Sequence, residues 1–127
     1  MHLMVLHIGQ EIVLDVLFNS GGVLNTPIDH LTADGDDLQF GVNCLGPAHF
    51  TFLLLPQLIS GAKFSPDGKA RVVNVSAATA YDAGSVGIYF GALTDTPQRR
   101  AKARSLYGSS KYVRGTTLSV KNEFNSV

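Results

Sequence analysis

Tyr107 and Lys111 stand four residues apart in the stretch Leu106-Tyr107-Gly108-Ser109-Ser110-Lys111, which places a phenol and an ammonium on one face of a helix. A neighbouring cation favours the phenolate, so Lys111 can lower the Tyr107 pKa. A tyrosine tuned in this way works as a general acid or base near neutral pH. The same spacing also suits a solvated surface pair with no chemistry, so the choice depends on what other elements bring to it. Three features precede the pair in chain order: an apolar run closed by Asn19-Ser20-Gly21-Gly22, an Asn43 inside an apolar helical stretch, and Arg71-Val72-Val73-Asn74-Val75-Ser76.

The elements that position these groups follow from apolar patterning. Val13 to Phe18 is nearly unbroken in apolar residues, as in a parallel strand buried on both faces. The glycines after it permit a sharp turn and close approach by a ligand. Thr32 to Asp37 offers capping oxygens and negative charge for a helix start; the spaced ligands of a calcium loop do not follow it. The helix is predicted from about Asp37 to Ile59, with Leu38, Val42, Leu45, Phe52 and Ile59 on its buried side. Pro47 interrupts it, and because proline has no N–H the Asn43 carbonyl loses its usual helical partner. Gly61 to Lys69 reads as a turn-rich loop and Ala70 to Val75 as a second buried strand, which completes a βαβ unit. Ala77 to Thr96 has no helical period and is long enough to cover a pocket. A final helix is predicted from the basic Pro97 to Arg104 lead-in to about Phe124, with Leu106, Val113, Val120 and Phe124 on its apolar side.

Composition bounds the function classes. The 127 residues carry no net charge and are 45% hydrophobic, which predicts a single globular domain over 1–127. Ten basic residues balance ten acidic ones, so no long-range field draws the chain to nucleic acid or to an anionic membrane. Cys44 is the only cysteine, which rules out an intrachain disulfide and points to a reducing, cytoplasmic setting. His49 has no second ligand at metal spacing, and no metal site is expected. Met1 to His7 lacks the basic flank and cleavage site of a signal peptide. The apolar run Phe50 to Leu58 is broken by Pro56 and Gln57 and is too short to span a bilayer.

Taken in order, Asn19 with its glycines, Asn43, the Asn74 strand and the Tyr107–Lys111 pair resemble the short-chain dehydrogenase/reductase family. Leu38 to Asn43 and Leu53 to Pro56 look most like its fungal retinol-dehydrogenase-like branch. The resemblance implies an α/β fold, a partial doubly wound, Rossmann-like parallel sheet with long flanking helices. It also implies NAD or NADP as cofactor and a small carbonyl or alcohol substrate. On the same footing Tyr107 is the acid/base, Lys111 binds the nicotinamide ribose and lowers the tyrosine pKa, and the Asn43 carbonyl holds a relay water. Asn19 and the glycines after it resemble the motif that supports the sheet beside the cofactor, with Ser20 and Gly21 in place of its second and third residues.

Two departures accompany the resemblance. The family's serine falls three residues after Asn74, where this chain has Ala77; Ser76 is one residue early and serves only if the chain bends there, with Thr79 a second candidate. The glycine-rich turn and helix that bind the pyrophosphate in the family have no counterpart before Leu14, so the sequence reads as the middle of a reductase, without the N-terminal cofactor half and the C-terminal part. The alternative function is a catalytically silent scaffold or interaction module. Open edges on a two-stranded sheet predict self-association.

Overall fold

The two apolar stretches form the expected parallel pair. In the computed structural model, which describes residues 13–115 and 117–121, β1 (Val16–Asn19) pairs with β2 (Lys69–Asn74) in a register that sets Val16 beside Arg71 and Asn19 beside Asn74. The readings placed on His7-Ile8-Gly9-Gln10 and on Phe124 lie outside the described residues. Alternation along β1 sends Leu17 and Asn19 to the covered side of the sheet and leaves Phe18 65% exposed. The expectation of a strand buried on both faces therefore fails for β1, because a period of two commits alternate side chains to opposite faces.

Asp37 starts the long helical segment as its composition predicts: Oδ1 accepts from the Phe40 N–H at 2.9 Å and caps α1 (Leu38–Phe40). The chain then widens into a π-helical turn over Gly41–Leu45, resumes as α2 (Gly46–Leu53), and bends by 58° before α3 (Leu55–Phe64). Proline stands in the first turn of both α2 and α3: Pro56 follows the bend, where its missing N–H costs nothing, whereas Pro47 continues straight from the π turn and withholds a donor from it. The helix outruns the predicted Ile59 and takes up part of the presumed loop after Gly61. Among the described residues no single helix is long and apolar enough to cross a membrane; only the bent pair reaches that length.

The buried side of this segment differs from the predicted one. Leu54, Leu58 and Ala62 are buried, whereas Val42, Leu45 and Phe52 are exposed and Leu38 and Ile59 are half-buried. The π turn carries an extra residue and the bend re-aims everything after Leu54, so one helical period cannot hold from Leu38 to Ile59. Leu54, Leu58 and Ala62 pack on Leu17, Ala70 and Val72 to form the core, with Leu14 and Phe50 against it. Gly61 permits this approach: a Cβ there would collide with the Leu14 carbonyl.

The end of the chain departs most from expectation. Pro97 opens α4 (Pro97–Ala101) under a Thr96 cap, the chain breaks at Lys102, and α5 (Ala103–Tyr112) ends well short of the predicted boundary. β3 (Thr117–Lys121) then lies antiparallel on β2, giving the sheet order β1-β2-β3. Val120 therefore pairs with Ala70 in a sheet, and Val113 is 40% exposed, so neither lines a helix stripe. Gly115 and the β-branched residues Thr117 and Val120 favour this outcome over helix. Between the strands, residues 77–96 form 3-10 turns over Ala78–Val86 and Phe90–Ala92, with Gly87 at φ 68°. A buried ion pair joins this region to the helix start: Arg99 Nη2 lies 3.2 Å from Asp37 Oδ2 and 3.1 Å from the His30 carbonyl.

Candidate active site

Register and helix packing bring Asn19, Asn43, Asn74 and the Tyr107–Lys111 helix to the carboxyl ends of the parallel strands. Pairing sets Asn19 directly opposite Asn74, and Asn19 Nδ2 donates to Asn74 Oδ1 at 2.9 Å and to Thr51 Oγ1 at 3.1 Å. Thr51 passes the link to α2 by donating to the Pro47 carbonyl at 2.8 Å. That bond uses a carbonyl in the stretch where Pro47 has already removed one donor.

Asn43 is fully buried in the π turn. Its Oδ1 accepts from the Val23 N–H at 2.8 Å, while Nδ2 donates to the Val23 carbonyl at 3.0 Å and to Ser110 Oγ at 2.9 Å. Ser110 in turn donates to the Tyr107 carbonyl at 2.8 Å. The amide is thus wholly engaged in holding the loop after β1 against α5. π turns of this kind occur frequently at functional sites.

Lys111 is 6% exposed, and its ammonium lies 5.7 Å from the centroid of the half-buried Tyr107 ring. Burial holds the Lys111 pKa below the ordinary lysine value, and the nearby Arg114 cation lowers it further. The segment after β1 passes close to this ammonium at Gly22, where a Cβ would lie 2.7 Å from Asn43 Oδ1 and 3.4 Å from Lys111 Nζ. Gly21, by contrast, faces open space. The position that tolerates no side chain is therefore Gly22.

Ser76 and Ala77 occupy the turn after β2. Ser76 Oγ donates to the Lys111 carbonyl at 2.6 Å, which commits its only proton to the helix backbone. Ala77 caps the following 3-10 turn in extended conformation and carries no hydroxyl. Thr79 Oγ1 is buried without a partner among the described residues.

Sequence reasoning did not single out Ser110, Arg114, Thr51 or Cys44 as structural partners of this site. Ser110 and Arg114 share a helix face with Tyr107 and Lys111 respectively, at a spacing of three, and that spacing was the available signal. Cys44 donates to the Ser110 carbonyl at 3.1 Å, and burial pushes its thiol from 9.0 up to about 12 against the pull of Arg114 and Lys111. Cys44 should therefore resist alkylation at about pH 8, where an exposed thiol reacts, and label only as fast as the chain unfolds. Because the folded pKa is raised, this contribution to stability is complete below 9.0 and is lost as pH climbs to about 12. Alkylation followed by mass spectrometry, with and without denaturant, checks the first statement; rapid labelling of the folded chain would contradict it.

Comparison with known proteins now decides the lineage. A short-chain dehydrogenase/reductase of Armillaria gallica is 43% identical over 106 residues, and one of Emericella nidulans is 40% identical over 104 residues. An uncharacterized oxidoreductase of Schizosaccharomyces pombe is 38% identical over 105 residues. The chain belongs to the short-chain dehydrogenase/reductase family. These matches take in 82–83% of this chain, which spans about a third of the length of the relatives. No protein-family profile matches it, and no solved structure does. Within a short-chain dehydrogenase/reductase, the two parallel strands and their helices make up an α/β, Rossmann-like portion.

Proposed function

We propose that this chain supplies the proton-transfer side of an NAD(P)-dependent oxidoreductase acting on a carbonyl or alcohol. The observation that carries the reading is the buried Lys111 ammonium over the Tyr107 ring, with the side-chain-free edge of Gly22 facing it. That edge fits a nicotinamide ribose: Lys111 would donate to its hydroxyls, and the Asn19 to Gly22 segment would lie against it. When bound, the nicotinamide exchanges a hydride with the carbon of the substrate.

The chain's own residues manage the proton. In the reducing direction Tyr107 Oη donates to the carbonyl oxygen as negative charge develops there, and the Lys111 cation stabilises the phenolate left behind. In the oxidising direction the same phenolate removes the alcohol proton. Asn43 acts through its backbone carbonyl, since its side chain is consumed by Val23 and Ser110.

One observation favours the silent-scaffold alternative. Ser76 spends its proton on the Lys111 carbonyl, and Ala77 has none to offer. A donor to a developing oxyanion is worth roughly 10² in rate, so Ala77→Ser in a protein that carries this chain should raise kcat on that order and leave cofactor affinity alone. Steady-state rates for the two proteins settle the point, and equal rates would assign the role to another hydroxyl.

The test of the function is consumption of NADH or NADPH, against a panel of aldehydes and ketones, by a purified protein that carries this chain together with a cofactor-binding half. Turnover of any member supports the oxidoreductase reading. A cooperatively folded protein that turns over none of them with either cofactor would establish the scaffold instead.

A further inference from the structure

We infer that Arg114 is a positioning residue that clamps the segment after β1 against the Tyr107–Lys111 helix. The inference rests on the reading of Tyr107 and Lys111 given above. Arg114 lies three residues after Lys111 in the turn that follows α5, is 3% exposed, and reaches across to the segment after β1. Its Nη1 donates to the Gly21 carbonyl at 2.7 Å and its Nη2 to the Asn19 carbonyl. These two acceptors flank Ser20, and the planar guanidinium fork spans them as a single ammonium could not.

Gly22 is thereby held from both sides. Arg114 anchors Asn19 and Gly21 before it, and Asn43 anchors Val23 after it through both of that residue's backbone groups. The edge of Gly22 that faces Lys111 is the surface that the cofactor ribose needs. Losing the clamp would let it drift, and a displacement of about 1 Å in such a site costs roughly 10²-fold in rate.

A buried guanidinium is expensive unless something repays it. Among the described residues neither Lys111 nor Arg114 has a carboxylate partner, and Arg114 Nε is buried without a hydrogen bond. A neutral glutamine or asparagine would have filled the position without carrying a second cation to Lys111. The charge has a consequence of its own: burial lowers the Lys111 pKa, and Arg114, in the turn after α5, lowers it further against the opposing effect of Cys44.

The experiment uses Arg114→Lys and Arg114→Gln beside the unaltered chain, with two readouts that need no turnover. Hydrogen exchange of the backbone amides from Asn19 to Val23 should accelerate roughly 10-fold or more in both variants, the scale of losing a charged hydrogen bond. The pH midpoint for acylation of Lys111 should rise in Arg114→Gln and stay low in Arg114→Lys, which separates the clamp from the charge. A merely structural arginine would move neither the midpoint nor the ranking of the variants. Unchanged exchange in Arg114→Lys overturns the inference, as does a Lys111 in the unaltered chain that acylates at the same pH as the exposed Lys63. Those two outcomes remain decisive even where Arg114→Gln does not fold. If instead the oxidoreductase reading fails, turnover is absent while exchange and acylation behave as stated.

Discussion

Tyr107→Phe in a protein that carries this chain is expected to lower kcat by roughly 10²–10⁴, the range for removing a positioned general acid or base. The substitution removes one oxygen. It keeps the aromatic ring under the Lys111 ammonium, and that contact depends on the ring face rather than the hydroxyl. Among the described residues no hydrogen bond to a neighbour holds the Tyr107 hydroxyl, so its loss leaves no orphaned partner and stability should change little. Substrate binding should change little as well, and the loss should appear in kcat and kcat/KM together, as for an interaction made only in the transition state. Steady-state kinetics with parallel thermal unfolding measures both. A fall in kcat of less than about threefold would remove Tyr107 from the proton-donor role.

Arg99→Met should produce the largest loss of stability. Arg99 and Asp37 are each 1% exposed, and their pair is only partly repaid: Arg99 Nε and Nη1 have no hydrogen-bond partner among the described residues. Removing the cation strands the Asp37 carboxylate in the interior at a cost of about 3–5 kcal/mol. That is a large fraction of the 5–15 kcal/mol typical of a whole domain. Asp37 also caps α1 and its N–H bonds the Leu93 carbonyl at 2.6 Å, so its neighbourhood tightens or loosens as a unit. The double change Asp37→Asn with Arg99→Met should recover most of the loss, since asparagine still caps and no charge is left buried. Urea unfolding of the two single variants and the double variant gives the coupling. A cost under about 1 kcal/mol for Arg99→Met would mean that the pair is hydrated after all.

Local signals were legible in the sequence, and long-range ones were not. The apolar runs ending at Phe18 and Val75 became β1 and β2 to within a few residues, and Asp37 caps the helix that its composition announced. Each of these is decided by a residue and its immediate neighbours. A constant period predicts the wrong buried face for the long helix, because the π turn at Gly41–Leu45 and the bend at Leu54 are set by packing against the sheet. The end of α5 falls short of the apolar stripe that Leu106 and Val113 suggest, because Gly115 and the β-branched residues after it overrule that stripe. In the candidate site, the chain order of Asn19, Asn43, Tyr107 and Lys111 carried the family. The partners that fix them came from other elements: Thr51 and Asn74 meet Asn19 only because of strand register, and Arg114 meets Asn19 and Gly21 from 95 and 93 residues away.

The π turn makes the helix behave like a reading frame. A turn that holds one residue more than its neighbours shifts the phase of everything downstream by about 100°, the angle per residue of an α-helix. Thr51, Leu54 and Leu58 reach Asn19 and the core on that shifted phase. Deleting any one residue from Gly41–Leu45 would let the turn relax to an ordinary α-helix. The inward side chains after it would keep their phase, because the deletion removes the residue that the wide turn absorbs, and the damage would be confined to the turn, where Asn43 holds Val23 and Ser110. One residue inserted after the turn has no such outlet: it would rotate Thr51, Leu54 and Leu58 away from Asn19 and the core by about 100°, so an insertion in α2 should be worse tolerated than a deletion within Gly41–Leu45.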